Sequence, residues 1–210
     1  MKIYKVIGLM SGTSLDGLDI AYCEYGLQNN KWTFEIGAAE TMDYSSEWTK
    51  ILSELPQKSA EQLLHYDVRY GFYMGDLVNS FVAKNKLKTE LIASHGHTIF
   101  HQPEKKLTYQ LGSGQALAKQ TGLKVASDFR TKDVLYGGQG APLVPIGDEM
   151  LFDNFAACLN LGGFSNMSFR INDERKAFDI CPVNMALNYV SRKLGRAYDT
   201  DGELAAEGNT

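Results

Sequence analysis

The sequence predicts an α/β protein in which a mixed sheet is flanked by helices. Three observations lead there: three apolar, strand-like stretches open the chain in close succession, strand candidates then alternate with helix-patterned segments, and a strand, glycine turn and strand occur once near each end. With 210 residues, 44% hydrophobic and 22% charged, the composition is globular and allows one large or two small domains.

Composition also narrows the partners. The formal net charge is -4 with Lys and Arg scattered, which supplies no basic field for nucleic acid. No apolar run approaches the length of a membrane span. The start MKIYKVIGLM enters the first strand without a secretory core, so a cytoplasmic protein with no membrane partner is expected. Cys23, Cys158 and Cys181 are odd in number and lack CxxC spacing. They read as reduced thiols, buried as small hydrophobes, rather than as a disulfide framework or a zinc site.

The opening stretch, Val6 to Asp19, is an apolar run that enters a Gly-Ser-Thr loop and leaves through two carboxylates. Beyond the loop Leu18, Ile20 and Tyr22 alternate with Asp19, Ala21 and Cys23, as in a strand with one buried face, so the stretch reads as a hairpin. Gly12 and Gly17 permit backbone conformations closed to other residues, and Ser11, Thr13 and Ser14 set hydroxyls beside amides. Such a concavity suits a phosphate, although an ordinary polar turn uses the same residues. Lys31 to Glu40 forms a third strand after the turn residues Gln28, Asn29 and Asn30. Two helices follow: Ser46 to Leu55, ending before Pro56, and Ala60 to about Lys84, whose Leu64, Val68, Phe72, Val78 and Phe81 keep a spacing suited to packing on the sheet. Gly71 and Gly75 inside the second helix either weaken it or admit a close neighbour.

Leu91 to Ser94 is a short buried strand delivering HGHTIFHQP, with His95, His97 and His101 in one span. No carboxylate or thiol nearby completes a metal set, which favours hydrogen bonding or ligand contact over a metal. Thr108 to Leu111, a helix from Gln115 to Thr121 and a strand from Leu123 to Ser127 come next. Asp128 and Arg130 follow that strand where α/β proteins present ligand-binding side chains, and Gly137, Gly138 and Gly140 make the next loop rich in exposed backbone. A guanidinium grips a carboxylate in two-pronged fashion; a structural Asp-Arg pair is the alternative. GGQG lacks the spacing of a dinucleotide fingerprint. Ala156 to Leu161, a turn over Gly162 to Asn166 and Met167 to Arg170 form the second strand-turn-strand, although two-glycine turns also simply close hairpins. Lys176 to Asp179 is a last strand ending in an acid, before a helix from about Asn184 to Leu194; Asp179 reads as a site acid or as a helix cap.

These motifs together resemble the 1,6-anhydro-N-acetylmuramic acid kinases. Gly12 to Asp19 match GTSxDGxD, and Ser127 to Pro145 match SDFRxxDxxxGGQGAPLVP. His95 to Pro103 match HGQTxxHxP except at His97, where the family carries Gln; an imidazole still donates and accepts. Of DTGPGN the chain keeps Asp179, Pro182 and Asn184, with Ile180, Cys181 and Val183 replacing the rest.

The resemblance implies an actin-like ATPase (ribonuclease H-like) fold, with 1–140 as the N-terminal domain and 141–210 as the start of a second, incomplete one. Family members continue well beyond residue 210. Each domain then contributes a phosphate-facing hairpin for ATP: Gly12, Thr13, Ser14, Leu15, Asp16, Gly17, Leu18 and Asp19 in the first, Gly162 and Gly163 in the second. Asp16 and Asp19 are expected to organise Mg2+ through water. His95, Arg130, Gly138, Gln139 and Asn184 are expected to contact the sugar, with Arg130 on its lactyl carboxylate, and Asp179 to act as general base. The implied reaction opens the anhydro ring with water and phosphorylates O6, giving N-acetylmuramic acid 6-phosphate for peptidoglycan recycling. Expected partners are ATP and anhydro-N-acetylmuramic acid, with a homodimer left open. The alternative is a truncated, catalytically inactive sugar-binding or interaction module derived from such a kinase.

Overall fold

The computed structural model describes residues 2–13 and 15–208, which fall into two compact units, Met1–Leu143 and Val144–Thr210. Ser14 lies outside the described residues. The first unit begins with an antiparallel meander of β1 (Lys2–Ser11), β2 (Gly17–Gln28) and β3 (Lys31–Asp43). Asn29 and Asn30 sit at φ 51° and 60°, the left-handed pair a two-residue turn of right-twisted strands requires. β4 (Leu91–Gln102), β5 (Leu107–Leu111) and β6 (Lys124–Ser127) complete the sheet, in the order β3-β2-β1-β4-β5 with β6 also on β4. β1 and β6 run parallel to the first half of β4, whereas β5 pairs antiparallel with its second half. The histidine segment is therefore the continuation of the strand and not a loop beyond Ser94: backbone pairing with Leu107 to Leu111 extends it. This mixed sheet, flanked by helices, is of the actin-like, ribonuclease H-like class.

Helix α1 (Ser46–Glu54) is capped by the Ser45 side chain, and Pro56 sits in the short turn that follows. α2 (Ala60–Asn85) starts at a reciprocal cap between Ser59 and Gln62. Its buried stripe is Tyr70, Met74, Val78 and Phe81, while Leu64, Val68 and Phe72 are exposed. The helical period was legible, but the phase was not: two overlapping apolar stripes share α2, and the sheet accepts the one carrying Tyr70 and Met74. Gly71 and Gly75 admit a close neighbour. A Cβ on Gly71 would lie 2.6 Å from the Ser113 carbonyl oxygen, and one on Gly75 would lie 2.5 Å from Gln120 Cβ, so both glycines let α3 (Gly114–Thr121) approach. Ile7, Leu18, Ile20, Leu52, Ile92, Leu111 and Leu117 complete the core, each 0–1% exposed. Full burial of such side chains stabilises by about 1.5–3 kcal/mol apiece.

A short helix, α4 (Thr131–Leu135), which periodicity did not reveal, follows β6. The second unit opens with another, α5 (Val144–Leu151), and continues as an antiparallel sheet of β7 (Ala157–Leu161), β8 (Phe164–Ile171) and β9 (Glu174–Pro182), then α6 (Asn184–Lys193) and α7 (Glu203–Glu207). The β7–β8 turn is Gly162–Gly163 alone, so Phe164, Ser165 and Asn166 belong to the strand. Cys23 is buried, as a small hydrophobe would be, but Cys158 is half-buried and Cys181 exposed; all three are free thiols. No helix among the described residues is long and apolar enough to cross a membrane.

Candidate functional site

β1 and β2 carry the opening loop at their joined ends, with Ser11 opposite Leu18 in the ladder. Within the loop Leu15 takes φ 60° and its amide donates to the Gly12 carbonyl. A non-glycine residue there costs on the order of 1–2 kcal/mol, and the Leu15 side chain offsets it by packing against the core. Gly17 does not take a left-handed conformation. Its Cβ would instead stand 2.6 Å from the Met42 carbonyl oxygen, so close approach of β3 is what demands glycine. Leu18 is fully buried and its side chain packs in the core beneath the loop. Thr13, Asp16 and Asp19 are exposed. Asp16 Oδ1 accepts from the Gly17 amide, and Asp19 Oδ1 accepts from the Thr41 hydroxyl at 2.6 Å.

The three histidines of β4 are each hydrogen-bonded. His97 Nδ1 meets Ser11 Oγ at 2.8 Å, and burial holds its pKa down to about 4, so it is neutral at physiological pH. His101 Nδ1 meets Thr108 Oγ1 at 3.1 Å. His95 Nδ1 donates to the Gly96 carbonyl, which leaves Nε2 to accept from Arg130 Nε at 2.9 Å. Burial, with a smaller contribution from Arg130, lowers the His95 pKa.

Arg130 is the most informative of the candidate residues. Its Nη1 donates to the Gly140 carbonyl, and Asp128 does not pair with it: Asp128 Oδ1 instead accepts from the Thr131 amide at the start of α4. Among the described residues no carboxylate lies within ion-pair distance of Arg130, and burial alone pushes its pKa down. A half-buried guanidinium with its orientation fixed and no resident anion is an acceptor for one. The glycine loop is wrapped on Asp133, which sequence reasoning missed although it stands three residues after Arg130 in the quoted motif. Asp133 Oδ2 accepts from the Gly140 amide at 2.7 Å, its carbonyl accepts from the Gly138 amide, and a Cβ on Gly138 would collide with its carboxylate. Gly138 is therefore kept bare by Asp133. Gln139, between these two glycines, is exposed.

Two concavities mark this unit. An open groove of about 750 Å³ is lined by Met10, Asp19, Thr41, His95, Phe129 and Leu143, which brings an acid of the opening hairpin and the histidine that orients Arg130 to one surface. Next to it lies a cavity of about 190 Å³ lined by Asp67, His95, Gln110, Ser113, Asp128 and Thr131. His95 is common to both.

In the second unit the Gly162 and Gly163 carbonyls accept the amides of Asn184 and Val183, at 3.1 and 2.8 Å, so the β7–β8 turn is fastened to the start of α6. A Cβ on either glycine would meet no atom nearer than 3.5 Å. Asp179 does not end its strand. It lies inside β9, exposed, opposite Asn166, because the ladder with β8 continues to Pro182. Nor does it cap α6, whose N-terminus has no side-chain cap.

The sequence profile of a family described as anhydro-N-acetylmuramic acid kinase matches residues 4–210. An anhydro-N-acetylmuramic acid kinase of Pseudomonas putida is 40% identical over 220 residues, covering 99% of this chain and 58% of the relative. One from Haemophilus influenzae is 37% identical, covering 100% and 57%, and one from Sulfurimonas denitrificans is 34% identical, covering 96% and 56%. The chain thus spans somewhat under three fifths of the length of the curated relatives it matches.

Proposed function

Because the chain belongs to the anhydro-N-acetylmuramic acid kinase family, we propose that its protein is a cytoplasmic ATP-dependent kinase that opens 1,6-anhydro-N-acetylmuramic acid with water and phosphorylates O6. The observation that carries the sugar assignment is Arg130, oriented by His95 and Gly140 with no carboxylate among the described residues paired to it. A lactyl carboxylate is the anion that distinguishes muramic acid from other amino sugars, and a fixed guanidinium recognises it by charge-assisted hydrogen bonds. Residues 1–140 are the N-terminal domain of the kinase and 141–210 the start of its second, incomplete one; each carries a loop suited to ATP phosphates, Gly12 to Asp19 in the first and Gly162 and Gly163 in the second.

Asp16 and Asp19 fit Mg2+, since both are exposed acids of the opening hairpin whose oxygens suit its water ligands. When bound, the ion neutralises phosphate charge. Asp179, exposed on β9, is the general base. In the anhydro sugar O6 is bonded to C1 and has no proton to lose. Asp179 takes a proton from water as the water oxygen bonds to C1 and the C1–O6 bond breaks. O6 keeps that electron pair and bonds to the γ-phosphorus, and the bond from phosphorus to the ADP oxygen breaks. One base serves both events.

Separate calorimetric titrations of ATP and of the anhydro sugar test the reading, and both are expected to bind. Sugar binding without nucleotide binding would replace it with a sugar-binding module. With isotopically labelled water the anomeric oxygen of the product should carry the label; an unlabelled product removes the hydrolytic step.

A further inference from the structure

The opening loop is held at both ends by one residue outside it. Tyr44, just beyond β3, donates its backbone amide to the Asp16 carbonyl at 3.4 Å and its hydroxyl to Ser11 Oγ at 2.7 Å. Ser11 is the last residue before the loop and Asp16 the last within it. The hydrogen-bond directions are determined by counting protons. A phenol has one O–H, and that of Tyr44 goes to Ser11; Tyr70 on α2, 2.6 Å away, must then donate to Tyr44. Ser11 Oγ also meets His97 Nδ1 at 2.8 Å. The result is a continuous chain of hydrogen bonds through Tyr70, Tyr44, Ser11 and His97 that ties the loop's entry to α2 and β4. Ser11, Tyr70 and His97 are 2%, 0% and 4% exposed, so water does not compete for these bonds. The Tyr44 ring is held too, stacked at a tilt on Tyr70 and Tyr73 with centroids 6.4 Å away in each case.

We propose that Tyr44 is the positioning residue of the phosphate loop: its amide and hydroxyl set the spacing of the loop's two ends, so that Gly12, Thr13, Leu15 and Asp16 present their amides in one arrangement before any ligand arrives. The nucleotide part of this inference rests on the proposed kinase reading; the loop-holding part does not. A preorganised loop avoids ordering cost on binding. The left-handed Leu15 is the kind of strained residue such external ties sustain.

Tyr44→Phe keeps the ring and removes the hydroxyl. Amide hydrogen exchange, followed by mass spectrometry on the chain itself, should quicken across residues 12–17 by about three- to tenfold, the range of one or two lost hydrogen bonds, while Leu9 and Ile92 in the core strands stay unchanged. Ser11→Ala removes the same bond from its other end and should give the same pattern. Unchanged loop exchange in both variants, or equal acceleration in loop and core, overturns the proposal, the latter because Tyr44 would then serve global stability alone. In calorimetry Tyr44→Phe should weaken ATP about as much as it quickens loop exchange, with the anhydro-sugar dissociation constant unmoved; equal weakening of both overturns the positioning role. If the unaltered protein binds no ATP, the kinase reading fails, and the exchange result still decides whether Tyr44 holds the loop.

Discussion

The two glycine hairpins of this protein share a local plan and differ in what their strands bury. In the β1–β2 hairpin Ile7, Leu9, Leu18 and Ile20 are at most 4% exposed, and the loop between the strands is fastened from α2 and β4 through Ser11, Tyr44, Tyr70 and His97. In the β7–β8 hairpin Leu159, Leu161 and Phe164 are 58%, 59% and 49% exposed, whereas the buried positions are Ser165 and Ser168. Its sheet is joined to α5 by polar groups: Ser168 donates to Asp148, and Glu149 pairs with Arg170 and Arg175. The turn itself is held by backbone bonds to the start of α6. A strand-glycine-strand signature therefore establishes a turn, and its neighbours establish rigidity. The glycines differ accordingly: Gly17 is demanded by a backbone 2.6 Å from its missing Cβ, while a Cβ on Gly162 or Gly163 would make only ordinary contacts at 3.5 and 3.6 Å.

The sharpest break of the comparison is chemical. Asp179→Asn on β9 retains shape but accepts no proton, and kcat should fall at least about 100-fold with dissociation constants within a few fold. Near-normal turnover in steady-state assays would move the base to another carboxylate, Asp16 first.

Next is the pair of glycines. Gly17→Ala forces a Cβ into the Met42 carbonyl and should cost about 1–3 kcal/mol in denaturant unfolding, the range for overpacking. Gly163→Ala should stay within about 0.5 kcal/mol yet weaken ATP, because the added methyl occupies space the fold leaves free. Equal destabilisation of both would erase the distinction between the hairpins.

Arg130→Met should weaken a muramic-type sugar by roughly tenfold or more, as befits a lost hydrogen bond to a charged group, while an analogue lacking the lactyl group is little affected. Equal losses in calorimetry would remove the carboxylate from Arg130.

The smallest effect belongs to His97. The fold holds its pKa at about 4 against an ordinary 6.5 because burial disfavours the imidazolium. Its contribution is therefore present in full above the unfolded value and lost as pH falls from 6.5 toward 4. His97→Gln keeps an acceptor for Ser11 and should flatten that part of the stability profile, with little change at pH 7. A profile identical to the parent's would assign the acid sensitivity elsewhere.

Much of this architecture was readable from residue order because it rests on local chemistry. The alternation of Leu18, Ile20 and Tyr22 reported a buried face, Asn29 and Asn30 a tight turn, and the motif at 127–145 the family. Phase and partner are different in kind. Nothing local says that α2 buries Tyr70 and Met74 in preference to Val68 and Phe72, since both stripes share one period; the choice is made by the sheet beneath and by α3 against Gly71 and Gly75. The end of β4 was hidden because five residues of β5 extend it by pairing, and that of β9 because β8 does the same. Arg130 was visible as a cation near an acid. Only the folded chain decided that the acid accepts from the Thr131 amide and that the guanidinium is turned by His95, 35 residues away. Likewise Tyr44 carries no motif, and its hold on Ser11 spans 33 residues. Residue order determines conformations that a few neighbours can stabilise, whereas contacts between distant residues depend on which surfaces meet when apolar faces are buried together.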